Sequence, residues 1–80
     1  MRITIINDDK FVRIDNSFYY NNNINELGVP ENIHALQWNE CDESNSGHIE
    51  YKFIENIKPQ NEEILSLPNW AISCIKYFLN

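Results

Sequence analysis

Apolar and polar residues alternate in short bursts over the first twenty positions. Arg2–Ile6 is a β-branched run, Asn7-Asp8-Asp9-Lys10 a polar break, and Phe11–Ile14 a second run. Asp15-Asn16-Ser17 breaks the pattern again before Phe18–Tyr20. Asn and Asp favour turns because their short side chains bond to nearby backbone and tolerate left-handed geometry. The pattern predicts a three-stranded meander with Ile3, Ile5, Val12 and Ile14 facing inward and Thr4, Arg13 and Phe11 on the other face. A one-residue slip in register would exchange the two sets.

Asn21-Asn22-Asn23 is another polar break, Ile24–Leu27 reads as a turn or short strand ended by Gly28, and Val29–Ile33 suits one helical or 3₁₀ turn with Pro30 at its first position. The strongest signal follows. Ile33–Trp38 and His48–Ile54 read as two strands of one antiparallel unit, bridged by the polar segment Asn39–Gly47. Ala35 and Gln37 should face one way and His34, Leu36 and Trp38 the other, while Ile49, Tyr51 and Phe53 alternate with His48, Glu50 and Lys52. From Glu55 to Leu67 the pattern weakens and Pro59 interrupts it, leaving Asn61–Ile64 as a short strand or irregular edge. Ser66 or Leu67 then caps a helix with Pro68 in its first turn, and Trp70, Ala71, Cys74, Ile75, Phe78 and Leu79 fall at helical spacing. The expected fold is α+β: an antiparallel meander or sheet of about four to six short strands, with one C-terminal helix packed on one face. A single domain spans residues 1–80, β-rich over 1–65 and helical over about 67–79.

Eighty residues leave room for one core, and a small domain must use most of its large apolar side chains to build it. The chain has them, at 42% hydrophobic with two Trp, four Tyr and four Phe. Its formal charge of −6 and the absence of adjacent basic residues exclude a phosphate-binding stripe, so no nucleic-acid partner is expected. The carboxylates serve solubility first and a basic partner second. The excess of Asn and Ile is the mark of an AT-rich coding sequence more than of a polar binding surface. No run approaches the length needed to span a bilayer, and the start lacks the apolar region of a secretory signal, so a membrane-free protein kept in a cytoplasm, or exported by something other than a signal peptide, is expected. Cys41 and Cys74 are too few for a disulfide framework; Cys74 reads as a buried small hydrophobe and Cys41 as a loop thiol with no activating neighbour.

Candidate chemistry is sparse. His34, Cys41, His48 and Cys74 are the soft metal-ligand candidates, with His34 and His48 on neighbouring strands, but their spacing matches no short ligand pair. Asp42–Gly47 resembles the opening of a calcium loop, yet Phe53 stands where the bidentate acid belongs. Asp8-Asp9, Asp42-Glu43 and Glu62-Glu63 are adjacent in sequence and point apart on a strand, so they form no shared-proton dyad. Neither a Gly-rich phosphate loop nor a nucleophile elbow is present. The expectation is a protein that is not an enzyme and needs no cofactor or metal. Trp38 and Trp70 are assigned to the core. The surface around Tyr20, Gln37, His48 and Glu50 is the candidate for partner binding.

Arg2–Ile6, Phe11–Asp15, Ile33–Trp38, Gly47–Tyr51, Asn61–Ile64 and Trp70, taken in that order, resemble a group of small bacteriophage and prophage proteins encoded near tail genes and mostly uncharacterised. The resemblance covers most of the chain and carries no catalytic motif. The segment Asn39–Ser46 is longer than the short turn expected in that group. What the resemblance implies is a tail structural component or tail-assembly accessory that contacts phage tail or fibre proteins, made in the bacterial host cytoplasm with incorporation into the virion tail. The alternative is a phage-encoded acidic inhibitor or regulator binding a host protein. Self-association as a homo-oligomer is compatible with both.

Overall fold

The computed structural model describes residues 1–52 and 60–80. Among these described residues, six strands form one antiparallel sheet: β1 (Arg2–Ile6), β2 (Phe11–Ile14), β3 (Ser17–Tyr20), β4 (Ile33–Glu40), β5 (Asn45–Tyr51) and β6 (Asn61–Ile64), followed by helix α1 (Asn69–Leu79). The spatial order is β3-β2-β1-β4-β5-β6, so two three-stranded meanders meet where β1 pairs with β4. The expected α+β fold is present. The end of the predicted second central strand, with Phe53 and Ile54, and the interruption at Pro59 lie outside the described residues.

Register explains the core. One row across the sheet runs Tyr19, Val12, Ile5, Leu36, Ile49, Glu62, and the next runs Ser17, Ile14, Ile3, Trp38, Gly47, Ile64. These rows share one face because directly paired residues point the same way. Ile3, Ile5, Val12, Ile14, Leu36, Trp38 and Ile49 are all buried there, joined by Ile24 and Val29 from the β3–β4 connection and by Ala71, Cys74 and Ile75 from α1. The connection and the helix therefore cover the same side. The molecule is 20 Å along its thin axis, enough for the sheet and one covering layer.

The turns follow their residues. Asp15 and Asn16 form a two-residue hairpin loop, with Asp15 at φ 52° as the primed turns require. Asn7–Lys10 is closed by the Lys10 N–H donating to the Asn7 carbonyl at 3.2 Å. Asn7 has a second role that its turn position does not announce. Its side chain is 1% exposed, and its Nδ2 donates to the carbonyls of Pro30 (3.1 Å) and Ile33 (2.8 Å). Its Oδ1 accepts from Asn25 Nδ2 at 3.1 Å, and Asn25 also donates to the Val29 carbonyl and accepts from Lys10 Nζ. This amide network ties the β3–β4 connection to the first turn, so at least these two asparagines owe their place to structure and not to codon bias. Gly28, at φ 118°, turns the connection against the backbone of Trp70.

Four expectations need correction. Strands β4 and β5 extend through Glu40 and from Asn45, because Asn39 pairs with Ser46 and Glu40 with Asn45; the bridge is a four-residue turn, Cys41–Ser44, closed by Cys41 N–H to the Ser44 carbonyl. The segment Asn39–Ser46 is therefore the end of the hairpin around this turn and not the long loop anticipated. His34 does not share the face of Leu36 and Trp38, because the β4–β5 register shifts between Ile33 and Ala35 and leaves His34 exposed outside the alternation. Val29–Ile33 makes one i→i+3 turn, the Ile33 N–H reaching the Pro30 carbonyl at 3.5 Å, but Pro30 precedes the central residues Glu31 and Asn32 and is not the first helical position. Finally, Pro68 is the N-cap itself, extended at ψ 154° with its carbonyl accepting from Ala71 and Ile72, and neither Ser66 nor Leu67 supplies a side-chain cap.

Gly47 sits opposite Trp38 in the central hairpin, where the indole leans across the vacant position. A β-carbon there would strike the Gln37 carbonyl oxygen and stand 2.7 Å from Trp38 Cε3. Backbone on one side and a 4%-exposed indole on the other leave little room to give. Gly47→Ala should therefore destabilise the protein by about 1–3 kcal/mol, the usual cost of overpacking. Urea unfolding followed by tryptophan fluorescence measures it.

Candidate functional site: the open face of the sheet

The residues that alternate with the core build the opposite face. One row reads Phe18, Arg13, Thr4, Gln37, His48, Glu63 and its neighbour reads Tyr20, Phe11, Ile6, Ala35, Glu50, Asn61. All four residues singled out from the sequence, Tyr20, Gln37, His48 and Glu50, lie on this face. Gln37 and His48 are direct cross-strand partners, while Tyr20 and Glu50 belong to one row at opposite ends. Among the described residues no helix or connection covers it. Ala35 is buried on this side without joining the main core, because its taller neighbours Ile6 and Glu50 flank it.

The face divides chemically. At the β2–β3 end, Phe11 stacks with Phe18 (centroids 5.8 Å apart) and tilts against Tyr20 (5.4 Å). The Arg13 guanidinium lies over the Phe18 ring at 5.6 Å, while its Nε donates to the Asp15 carbonyl at 2.7 Å. Phe18 is 61% and Tyr20 73% exposed, so this cluster presents ring surface to solvent instead of filling the core. At the β4–β5 end the face is polar: His48 Nε2 and Glu50 Oε1 are 3.2 Å apart, beside Gln37. Arg2, Thr4, Arg13, Gln37 and Asn39 line a shallow depression between the two ends. Sequence reasoning found Tyr20 but gave Phe11, Phe18 and Arg13 no shared role, because only cross-strand register brings them together.

The soft-ligand residues are scattered. His34 Nδ1 is 3.4 Å from Asp8 Oδ2, and Lys52 Nζ is 3.1 Å from Asp8 Oδ1, at the far end of the sheet from the Cys41 turn. His48 pairs with Glu50, and Cys74 is buried in α1. Among the described residues no three His, Cys, Asp or Glu side chains are grouped to hold a metal ion. The Lys52 ammonium, by hydrogen bond and charge, holds the Asp8 carboxyl below its usual range, with His34 adding to the effect. That contribution is present above the unfolded carboxyl pKa and disappears as pH falls through the lowered folded value. Because the pair is exposed, solvent screens it heavily. On the core side, Tyr51 OH donates to Glu62 Oε2 at 2.6 Å, which raises the phenol pKa.

Comparison with known protein families, curated proteins and solved structures finds nothing that matches this chain. The open face must be read from its own chemistry. It offers aromatic rings, one stacked guanidinium and a small polar cluster, a composition suited to contact with another protein. Also among the described residues, no helix is long and apolar enough to cross a membrane.

Burial alone pushes the Cys74 thiol up to about 11, whereas Cys41 is exposed. Since the thiolate is the reactive form, Cys41 should react at once with a thiol reagent at pH 8 and Cys74 only on unfolding. One equivalent of label before denaturant and two after checks the placement. The same shift lowers stability as pH climbs from the unfolded thiol value of 9 toward 11, because the unfolded chain releases a proton that the fold retains.

Proposed function

We propose that the protein works without catalysis, as a protein-binding module that engages its partner through the open face of the sheet. The observation that carries this reading is the cluster of exposed Phe18 and Tyr20 around half-buried Phe11 and Arg13, placed on a face that the core does not use. Aromatic residues and arginine supply most of the binding energy at protein interfaces, and a partner with an apolar centre would desolvate them together. Gln37, His48 and Glu50 would form the polar rim that sets orientation. The resemblance of the strand succession to small phage and prophage proteins supplies the partner class: a tail or fibre protein, with this chain as a tail component or tail-assembly accessory.

A second reading draws on the formal charge of −6: an acidic inhibitor or regulator would use its carboxylates against a basic site on a host protein. Its contacts would be weakened by salt, whereas those of an aromatic patch would persist.

Alanine at Tyr20, Gln37, His48 or Glu50 should leave the circular dichroism spectrum and thermal midpoint nearly unchanged, since none of the four belongs to the buried core. Each should weaken co-purification with tail and fibre proteins expressed together, Tyr20→Ala most. Wild-type binding by all four variants would sink the proposal, as would their unfolding. Capture of a host protein with no tail protein would select the inhibitor reading.

A further inference from the structure

The two edges of the sheet are unlike. Strand β6 presents Asn61-Glu62-Glu63-Ile64, whose adjacent carboxylates discourage another strand from pairing there. Strand β3 presents Ser17-Phe18-Tyr19-Tyr20, with no charge, proline or bulge, and no described residue pairs with its outer side. The edge is also apolar beyond the strand. Tyr19 stacks on Phe78 at 5.0 Å, which brings the last turn of α1 beneath β3, with Tyr77 54% and Leu79 57% exposed beside it.

The free backbone groups of β3 can be assigned. Asp15 N–H donates to the Arg2 carbonyl, so by the alternation of an antiparallel ladder Arg13 and Phe11 also bond to β1. Val12 and Ile14 are left to bond to β3, through Tyr19 and Ser17. The Asn21 N–H donating to the Lys10 carbonyl at 3.0 Å gives the same phase independently. The N–H and C=O groups of Phe18 and Tyr20 therefore point away from β2, toward solvent.

We propose that β3 pairs antiparallel with β3 of a second copy, centred on Tyr19, to make a continuous twelve-stranded sheet. In this register Phe18 of each copy lies opposite Tyr20 of the other, and both residues carry outward backbone groups, giving four intermolecular hydrogen bonds. Centring on Phe18 would oppose Tyr20 with Asn16 in the turn, and centring on Tyr20 would oppose Phe18 with Asn22, so each wastes half of the ladder. An odd register would set outward-pointing groups against inward-pointing ones. The two-fold axis runs perpendicular to the sheet and keeps the faces aligned, so the two Phe11, Phe18 and Tyr20 clusters merge into one aromatic row. On the other face Tyr19 meets its counterpart, flanked by the two helix ends. A four-residue ladder alone is a small contact; the apolar side chains on both faces add the burial it lacks.

Sedimentation equilibrium from micromolar to millimolar concentration tests this, together with amide exchange and intermolecular nuclear Overhauser effects in mixed-label samples. The expected results are twice the chain mass at high concentration, Phe18 and Tyr20 amides that become protected as the dimer forms, and a Phe18–Tyr20 ring contact between chains. Tyr20→Pro removes an outward N–H without touching the ladder to β2, and Phe18→Lys adds an edge charge; each should weaken the dimer at least about tenfold. A wild-type chain that stays monomeric throughout overturns the proposal. So does a dimer whose Phe18 and Tyr20 amides exchange freely, or one that keeps its affinity in both variants. None of these results bears on Gln37, His48 and Glu50, which lie strands away from this edge.

Discussion

The buried carboxamide of Asn7 is the constraint on which the arrangement depends. The chain finishes its first meander at the edge strand β3 and must return to the middle of the sheet to begin β4 beside β1. That return could run over either face. Asn7, at the end of β1, fixes the choice by taking the carbonyls of Pro30 and Ile33 and the amide of Asn25 onto one side chain. With the return path held there, Ile24 and Val29 reach the core at 0% and 1% exposure, and Gly28 meets Trp70 at the start of the helix. Connection and helix then share one face, and the other face is left for solvent or a partner.

Much of this fold was legible in the sequence, for physical reasons that can be named. Arg2–Ile6 and Phe11–Ile14 stand as strands with the expected boundaries, because β-branched runs between Asn/Asp turns leave little alternative. The helix over Asn69–Leu79 follows from its apolar spacing, although its cap differs because Pro68, extended before the helix, supplies its carbonyl and no side chain bonds in. Illegible features depend on pairing. The shift at His34 is visible only once Tyr51 is placed opposite Ile33, and the short Cys41–Ser44 turn only once Asn39 and Ser46 are seen as partners. Asn7 escaped notice for a related reason: a turn asparagine and a buried amide hub look the same until its distant partners are known.

The candidate surface shows the same division. Period-two alternation placed Gln37, His48 and Glu50 away from the core, and that parity survives because the register shift falls before Ala35. The aromatic half was only partly visible, since Phe11, Phe18, Tyr20 and Arg13 belong to two strands and become one patch through the β2–β3 register. Exposed rings at one edge cost solubility, and the chain offsets them with net negative charge elsewhere and with Glu62 and Glu63 at the opposite edge. An aromatic patch kept at that end of the face under those conditions is the physical basis for the proposed recognition role.

The direct test of this account is a double-mutant cycle on Asn7→Ala and Asn25→Ala, read by urea unfolding. Removing the Asn7 side chain strands the Pro30 and Ile33 carbonyls and the Asn25 amide, at about 1–3 kcal/mol for each buried group that water cannot reach. The account predicts a loss of about 2–4 kcal/mol for Asn7→Ala, a smaller loss for Asn25→Ala, and a coupling of at least about 0.5 kcal/mol between them. An Asn7→Ala protein within about 0.5 kcal/mol of wild type, as an ordinary surface substitution would be, would contradict it.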